Sequence, residues 1–523
     1  MTSIRPVIVG FLVVLLGGAN AGELLYNGIQ LPDEWPPKYA EIPRADQSTP
    51  PYLEAPPEII PIDLGRQLFV DDFLIEETTL ERTFHQPKWN DGNPVLKPEH
   101  PAAEIGGKNT PMAAPFSDGV WWDGDRFKMW YLARNYFTSY AESIDGITWT
   151  KPPIPGAHYE GANTLINYRG DSSTTWIDHN ADPSQRFVML TWRATQLHLR
   201  YSADGTTWGD PFWSSGRGAG DRTTFFYNPF RKVWVYSLRK GRNEVGRCRF
   251  YTETSDLSQP PDIPKAVRWT RADDLDRVQP VIGASPLPDL YNLDATPYES
   301  LMLGFFAVHS VEHNEYPNDS GQPKVIHVSL GYSRDGFHWS RPDRRPFLNC
   351  KPEDRTAWNR GNVQSAGGGC LVVEDKLYFY CSGRIGGKTP DDGSGMSTGL
   401  AFLRRDGFAS MDANESGGQL TTRLVQFSGN HLYANLDGEL KVALLDSDGE
   451  VLAVSNKISE DSTKKRIDWV DVDDLSAFAN QQLRFRFHLA KGRLFSFWTS
   501  DKSGASRGYV AAGGPGYSSG QDR

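Results

Sequence analysis

A seven-residue phrase, Ser-x-Asp-Gly-x-x-Trp, recurs along this chain and constrains its fold more than any other feature. It stands at residues 143–149, 202–208 and 333–339. The aspartates, Asp145, Asp204 and Asp335, are 59 and 131 residues apart, so the second gap spans about two units. A degenerate copy is therefore due near 270, and Ser255, Asp256 and Trp269 supply it around an insertion. A fifth turn at Asp406 follows 71 residues after Asp335 and lacks the tryptophan. Five units of strand, turn, strand and Asp-Gly turn predict a five-bladed β-propeller, because one blade cannot bury both faces and must stack on neighbours. The Asp-Gly pair suits a two-residue hairpin in which Gly takes positive φ. Its aspartates read as turn residues, and the tryptophan after each is expected to pack between blades.

Short runs rich in β-branched and aromatic residues fill the intervals: "RFKMWYLA" at 126–133, "RFVMLTWR" at 186–193, "KVWVYSLR" at 232–239, "ESLMLGFFAV" at 299–308 and "KLYFYCSG" at 376–383. The texture changes near 415. "QLTTRLVQFSGNHLYANLDGELKVALLDSDGEVL" (419–452) and "QLRFRFHLAKGRLFSFWTS" (482–500) alternate apolar and polar residues between Gly-containing turns, as in a small antiparallel sandwich. The whole chain thus reads as all-β, a propeller over 62–414 followed by a β-sandwich over 415–500. Residues 22–61, crowded with proline and charge, read as a linker or extended arm. The Gly- and Ser-rich residues 501–523 read as a disordered tail. At the other end, Arg5, the apolar run 7–16 and Ala19-Asn20-Ala21 form a signal-peptide pattern with cleavage expected after Ala21. A secreted or periplasmic protein follows, with no membrane span after that cleavage. Its four cysteines, Cys248, Cys350, Cys370 and Cys381, are expected to be buried thiols, since so large a domain needs no staples.

A net charge of −10 argues against a nucleic-acid partner. Neither CxxC nor HExxH occurs, so neither metal nor other cofactor is expected. A propeller with a sandwich behind it, together with "GNPVLKP" (92–98), "FKMWYLA" (127–133), "SIDGITW" (143–149) and "GRLFSFW" (492–498), resembles the invertase and fructosidase group, glycoside hydrolase family 32. That resemblance spans about residues 65–500 and implies a glycosidase acting on a carbohydrate. Its nucleophile segment is matched in part by Trp89, Asn90, Asp91 and Asn93, which makes Asp91 the nucleophile the resemblance implies. The family's Arg-Asp-Pro and Glu-Cys segments do not occur.

Glycoside hydrolysis needs two carboxyl groups flanking the bond. In a propeller these belong where each blade opens onto the central channel. "GDSSTTW" (170–176) and "GDRTTFF" (220–226) repeat one design, Gly-Asp and hydroxyl residues before a strand, and nominate Asp171 and Asp221. Glu299 opens an apolar run, an unusual place for a charge unless it faces the channel, and is the candidate general acid/base. Asp118, Arg222, Asp294, Asn362 and Gln364 are the candidate substrate-binding groups, with Trp176 beside Trp121 and Trp122 as stacking surfaces for sugar rings. Asp71 or Asp72 offers a further channel carboxylate, or a pair of turn acids. The leading expectation is a secreted glycoside hydrolase with paired channel carboxylates. The alternatives are a non-catalytic carbohydrate-binding propeller and a sialidase, the latter needing three channel arginines and a tyrosine nucleophile.

Overall fold

The computed structural model describes residues 22–42, 49–106, 110–166, 170–240, 246–276, 288–309, 324–385 and 395–523. The signal-peptide pattern lies outside them. Five antiparallel sheets follow one another in the order the repeat predicts. Blade 1 is Ala113–Trp122, Phe127–Ala133, Thr138–Ser143 and Thr164–Ile166; blade 2 is Ser173–Ile177, Phe187–Arg193, Gln196–Ser202 and Trp213–Ser214. Blade 3 is Thr224–Asn228, Val233–Leu238, Cys248–Thr254 and Val267–Arg271. Blade 4 holds Asp289–Glu299, Leu301–His309 and Ile326–Ser333; blade 5 holds Gly361–Ser365, Lys376–Ile385 and Gly395–Arg404. The ring is closed by the early strand Lys88–Trp89, which pairs with Ala401 and Phe402 on the outer edge of blade 5.

Each recurring turn joins the third strand of a blade to its outer edge, and each is spliced to the blade before it. In the first, Ser143 Oγ donates to Asp145 Oδ1 (2.9 Å) and accepts the Gly146 N–H (2.9 Å), while Asp145 Oδ1 accepts the N–H groups of Ile147 and Thr148. The same bonds recur at Ser202/Asp204 and Ser333/Asp335. The glycines have φ of 73°, 77° and 82°, which only glycine adopts without strain. Pairing resumes at Glu142↔Thr150 and Tyr332↔Ser340, so the connection is longer than the two-residue hairpin expected, and the aspartate serves to close it from inside. Burial opposes ionisation of Asp204, but the N–H groups of Thr207 and Thr206 outweigh it and hold its carboxyl at about 2.

An aromatic donor of one blade reaches the turn of the next all the way round. Trp130 Nε1 donates to Gly205 O (2.8 Å), Trp213 Nε1 to Leu257 O (2.7 Å) and Trp269 Nε1 to Phe337 O (2.7 Å). Tyr298 OH donates to the Asp406 carboxylate (2.6 Å), and Tyr380 OH to Gly146 O (2.5 Å). The last of these carries blade 5 back to blade 1. The degenerate copies at Asp256 and Asp406 therefore occupy the same structural place as the perfect ones. Trp149 packs edge-on to Tyr380 of blade 5, and Trp339 packs against Trp269 of blade 3, between blades as expected.

The remaining chain is less divisible than its sequence suggests. His431–Leu445 and Arg484–Ser500 pair along their length and anchor a nine-stranded sheet. Bulges beside Leu436 and Glu439 bend this pair, and both halves contribute to one core through Leu432, Leu436, Val442, Phe485, Leu489 and Phe497. Strands Gln67–Leu68, Ile75–Thr78 and Glu81–Phe84 join this sheet, so the propeller proper begins near Lys88 rather than at 62. The arm also packs on it: Leu25, Ile29, Tyr52 and Ile60 are buried in the same core, and Ile60 pairs with Val425. Asp71 is buried against Arg334 and caps the Phe73 N–H, whereas Asp72 is exposed and pairs with Arg82.

The expected disordered tail is instead a packed segment. Tyr509–Val510 adds to the inner edge of blade 4, opposite Glu299 and Tyr298. Ala512 O then accepts from Trp122 N of blade 1, Gly513 O from Val372 N of blade 5, and Tyr509 stacks edge-on to Phe230 of blade 3. The glycines that suggested disorder allow this closeness: a Cβ on Gly508 would meet Glu299 Oε2 at 2.0 Å, and one on Gly514 would meet Val372 O at 1.7 Å. The tail plugs one end of the channel. Cys248, Cys370 and Cys381 are buried, and burial pushes the Cys350 thiol up to about 11.

Candidate functional site

The first strands of the blades meet on the channel axis. Ser117 of blade 1 and Ser365 of blade 5 both donate to Asp294 Oδ2 of blade 4 (2.9 and 2.6 Å), and Asn292 Nδ2 donates to its Oδ1 (3.0 Å). Thr224 of blade 3 donates to Leu293 O. Asp294 is thus a buried hub that ties three blades, and burial raises its pKa against the three donors. Its lone pairs are spent on the scaffold rather than turned to a ligand.

Above that hub, at the end away from the tail, the segments that open the blades are bonded to one another. Arg222 N donates to Asp171 O, Leu290 N to Arg247 O, and Asn362 N to Lys324 O. This mouth collects Asp171, Asp221, Arg222, Asn362 and Gln364 from the sequence-nominated residues. Asp118 lies just inside. Several residues here hold positive φ without being glycine: Ser117 (70°), Arg222 (59°) and Asn362 (54°). Such strain persists only where surrounding contacts enforce it, and it concentrates at functional sites.

Arg222 is the organiser. Its Nη1 faces Asp171 Oδ1 at 3.4 Å and its Nη2 donates to Phe116 O at 2.8 Å, so one buried guanidinium joins blades 1, 2 and 3. Asp118 is fully buried, and neither of its carboxyl oxygens makes a hydrogen bond of normal geometry among the described residues. Burial lifts its pKa well above the ordinary carboxylate range, against Arg222 and Ser173, and nearby Asp171 pushes the same way. Asp171 and Asp221 are both partly exposed at the mouth. Asp221 pairs with Arg239, and Arg247 Nη2 lies 3.6 Å from its Oδ1. Gln364 Nε2 donates to Asn362 Oδ1 (2.8 Å), and Gln364 Oε1 makes no hydrogen bond among the described residues.

Three nominated residues lie elsewhere. Glu299 ends the blade 4 strand about 16 Å beyond Asp294 at the usual strand rise, on the plugged side. There it is fully buried among Arg405 Nη2 (3.0 Å), Arg66 N (3.1 Å) and Ser506 Oγ (2.6 Å). An apolar run opened by a charge marked a packed junction, not the channel. Asp91 is exposed on the outer edge of blade 5, just after the closing strand Lys88–Trp89. Trp176 is 3% exposed, wedged between Trp121 of blade 1 and Trp234 of blade 3, with its Nε1 donating to Phe225 O. It is blade core and offers no face to a sugar; Trp121 is buried likewise.

The mouth also holds residues that sequence reasoning passed over. Arg247 stacks on the Tyr291 ring at 3.8 Å, and Lys324 Nζ donates to Tyr291 OH at 3.0 Å. Burial works to raise the Tyr291 phenol, yet Lys324, Arg247 and Arg222 outweigh it and pull it down to about 7. Arg249 lies beneath, donating to Arg222 O and Ser237 Oγ. The available signal was "GRCRF": arginines two apart on a strand share a face, and a charged face inside a propeller blade is anomalous. Among the described residues, no group of three or more His, Cys, Asp or Glu side chains is arranged to hold a metal ion, and no helix is long and apolar enough to cross a membrane. A cleft of about 240 Å³ lies at the rim between the arm and blades 3 and 4, lined by Tyr39, Trp269, Phe337 and Arg344. Its cations are already paired, Arg341 with Asp276 and Arg344 with Asp273.

No family model matches the chain, and no curated protein matches it in sequence. Distant likeness to solved structures does appear. One is a GH130 glycoside hydrolase, from a family of mannoside phosphorylases, that targets β-1,2 mannosidic linkages in Candida mannan; it is 14% identical over 62% of this chain and 94% of its own, with a TM-score of 0.39. Another is described as a putative glycoside hydrolase from Bacteroides ovatus, 12% identical over 61% and 97%, TM-score 0.39. A third is an exo-β-1,3-galactanase from Phanerochaete chrysosporium, 10% identical over 80% and 99%, TM-score 0.32. The five-bladed fold stands on the chain's own strand pairing.

Proposed function

We propose that this protein is a secreted or periplasmic glycoside hydrolase whose chemistry occurs at the open mouth of the propeller. One observation carries the reading: two carboxyl groups with opposed environments share a single arginine. Asp118 is buried and held protonated well above the ordinary range, and Asp171 is partly exposed and ion-paired with Arg222. Pairs of titratable groups whose surroundings push them apart are how one site supplies an acid and a base at the same pH. In this assignment Asp118 gives its proton to the glycosidic oxygen as the leaving group departs, which requires substrate binding to open the mouth onto a carboxyl that is fully buried in the free protein. The Asp171 carboxylate acts on the opposite side of the sugar, either on a water molecule or on the anomeric carbon itself. Arg222 orients Asp171 through their ion pair. Asn362 and Gln364 are the amides available to sugar hydroxyls.

The test is turnover on a panel of oligo- and polysaccharides by the wild type, Asp118→Asn and Asp171→Asn. Wild-type cleavage reduced at least about a hundredfold in both variants, in line with the usual contribution of a general acid or base, is the expected outcome. Cleavage unaffected by either substitution refutes the assignment. Binding without cleavage anywhere on the panel makes the protein a carbohydrate-binding propeller, a reading to which the complete burial of Asp118 lends weight.

A further inference from the structure

Among the described residues, the mouth carries more cationic groups than its own carboxylates satisfy. Arg222, Arg239, Arg247 and Lys324 converge on it, with Arg249 directly below. Asp171 is committed to Arg222 and Asp221 to Arg239. Asp289 Oδ1 accepts the backbone N–H of Arg247 (2.8 Å). Arg247 itself is the odd member. Its side chain is 2% exposed, its Nε donates to Tyr291 O at 3.0 Å, and both its Nη atoms make no hydrogen bond among the described residues. Among the described residues, the nearest opposite charge, Asp221 Oδ1, stands 3.6 Å from Nη2, too far for a hydrogen bond, and belongs to a partly exposed residue of the mouth. A buried guanidinium whose Nη atoms make no hydrogen bond among the described residues is costly, and that planar fork matches a carboxylate or a sulfate oxygen pair.

We propose that Arg247, flanked by Arg222, Arg239 and Lys324, forms an oxyanion subsite at the channel mouth, and that the sugar this protein takes carries a negative charge, the carboxylate of a uronic acid or a sulfate ester. The subsite rests on the carbohydrate reading for the sugar ring and on its own geometry for the anion. The electrostatics agree: the same cations pull the Tyr291 phenol down to about 7, and burial with Arg247 nearby brings Arg239 down to about 10. A bound anion would relieve that repulsion.

The experiment is calorimetric binding to the full chain of glucuronate, glucose 6-sulfate, glucose and inorganic phosphate, at matched ionic strength and without reading turnover. Tighter binding of glucuronate or glucose 6-sulfate than of glucose, by at least about tenfold, is expected, since a charged hydrogen bond contributes that much. Which of the two binds more tightly identifies the substituent. Arg247→Met is expected to abolish the preference and leave the weak affinity for glucose. Should Arg247→Met fail to fold, Lys324→Met at the rim is expected to reduce the preference, and anion binding is expected to raise the pH at which the Tyr291 phenolate absorbance appears. Equal binding of glucose and its charged relatives overturns the proposal. So does inorganic phosphate binding as tightly as the sugar anions, because the site would then take a free oxyanion rather than a charged sugar. Hydrolysis of neutral glycans without anion preference refutes the subsite alone. Anion-selective binding without hydrolysis refutes the catalytic assignment alone.

Discussion

Asp71 and Asp72 are adjacent acids with opposite surroundings, and substituting each in turn weighs burial against exposure directly. Arg334 Nε and Nη2 grip the Asp71 carboxylate at 2.8–3.1 Å, and both side chains are at most 2% exposed. Arg334 also donates to Leu68 O (3.1 Å), and it lies inside the Ser-x-Asp-Gly turn of blade 4. The pair therefore rivets that turn to the strand the early chain lends to the nine-stranded sheet. Asp71→Asn keeps the shape and can still accept the Phe73 N–H, but it leaves the Arg334 charge buried without its counter-ion. Removing one partner of a buried pair costs about 3–5 kcal/mol; the retained carbonyl contacts place this case near the lower end. A loss of about 3 kcal/mol lowers the folded-to-unfolded ratio about a hundredfold. Asp72→Asn removes a pair whose carboxylate is 73% exposed and should cost under about 1 kcal/mol. The assay is urea unfolding followed by tryptophan fluorescence, with binding or turnover of a carbohydrate measured on the folded protein. Equal effects of the two substitutions, or loss of activity in Asp71→Asn at unchanged stability, would refute the reasoning and return Asp71 to the channel.

Three further outcomes follow from the geometry. Gly205→Ala should destabilise by clearly more than about 1 kcal/mol in thermal melts, because φ is 77° and the new Cβ meets Trp130 Cζ2 at 2.7 Å; Gly156→Ala, at φ 80° in open space, carries the backbone strain alone and bounds it at about that value. Truncation before Tyr509 removes the buried Val510 and Ala512 and uncovers the inner edge of blade 4; at about 1.5–3 kcal/mol for a buried valine alone, the truncated protein should melt lower and bind a hydrophobic dye that the intact one excludes. Tyr291 should ionise near pH 7, seen as a phenolate difference spectrum absent from Tyr291→Phe. Because its folded pKa lies below the unfolded value of 10, its ionisation contributes stability that is complete above pH 10 and lost as the pH falls through 7, so wild type should gain on Tyr291→Phe between those limits.

What the sequence disclosed and what it hid divide along one physical line. The blades were legible because their signals are local: Asp204 and Gly205 fix their turn through bonds to residues within three positions of themselves, whatever the rest of the chain does. The same locality gave the blade openings, and with them Asp171, Asp221 and Arg222. The other groups facing the mouth, Arg247, Tyr291 and Lys324, were not legible, because they depend on which side chains five separate strands bring to one axis. Trp176 and a sugar-stacking tryptophan have the same local sequence grammar; only the neighbouring Trp121 and Trp234 decide between them. Glu299 breaks an apolar run as a channel carboxylate would, yet its partners Arg66, Arg405 and Ser506 come from both ends of the chain.

The tail shows the same limit in reverse. Glycine and serine raise the entropy of an unfolded segment and so resemble disorder, but the plug needs residues without Cβ where Gly508 and Gly514 meet opposing backbone and side chain. Composition records the cost of ordering such a segment and not the contacts that offset it. Closing one end of the channel with the chain's own terminus leaves one mouth, and at that mouth Arg222 and Asn362 hold positive φ, Asp118 is buried, and Arg222, Arg239 and Arg247 gather. A scaffold that ties Asp294 to three blades at the centre and leaves both Arg247 Nη atoms without a hydrogen bond among the described residues separates the two demands on charge inside a propeller. Charges satisfied within the chain hold the ring together, and under the subsite proposed above Arg247 is the group with a ligand still to meet.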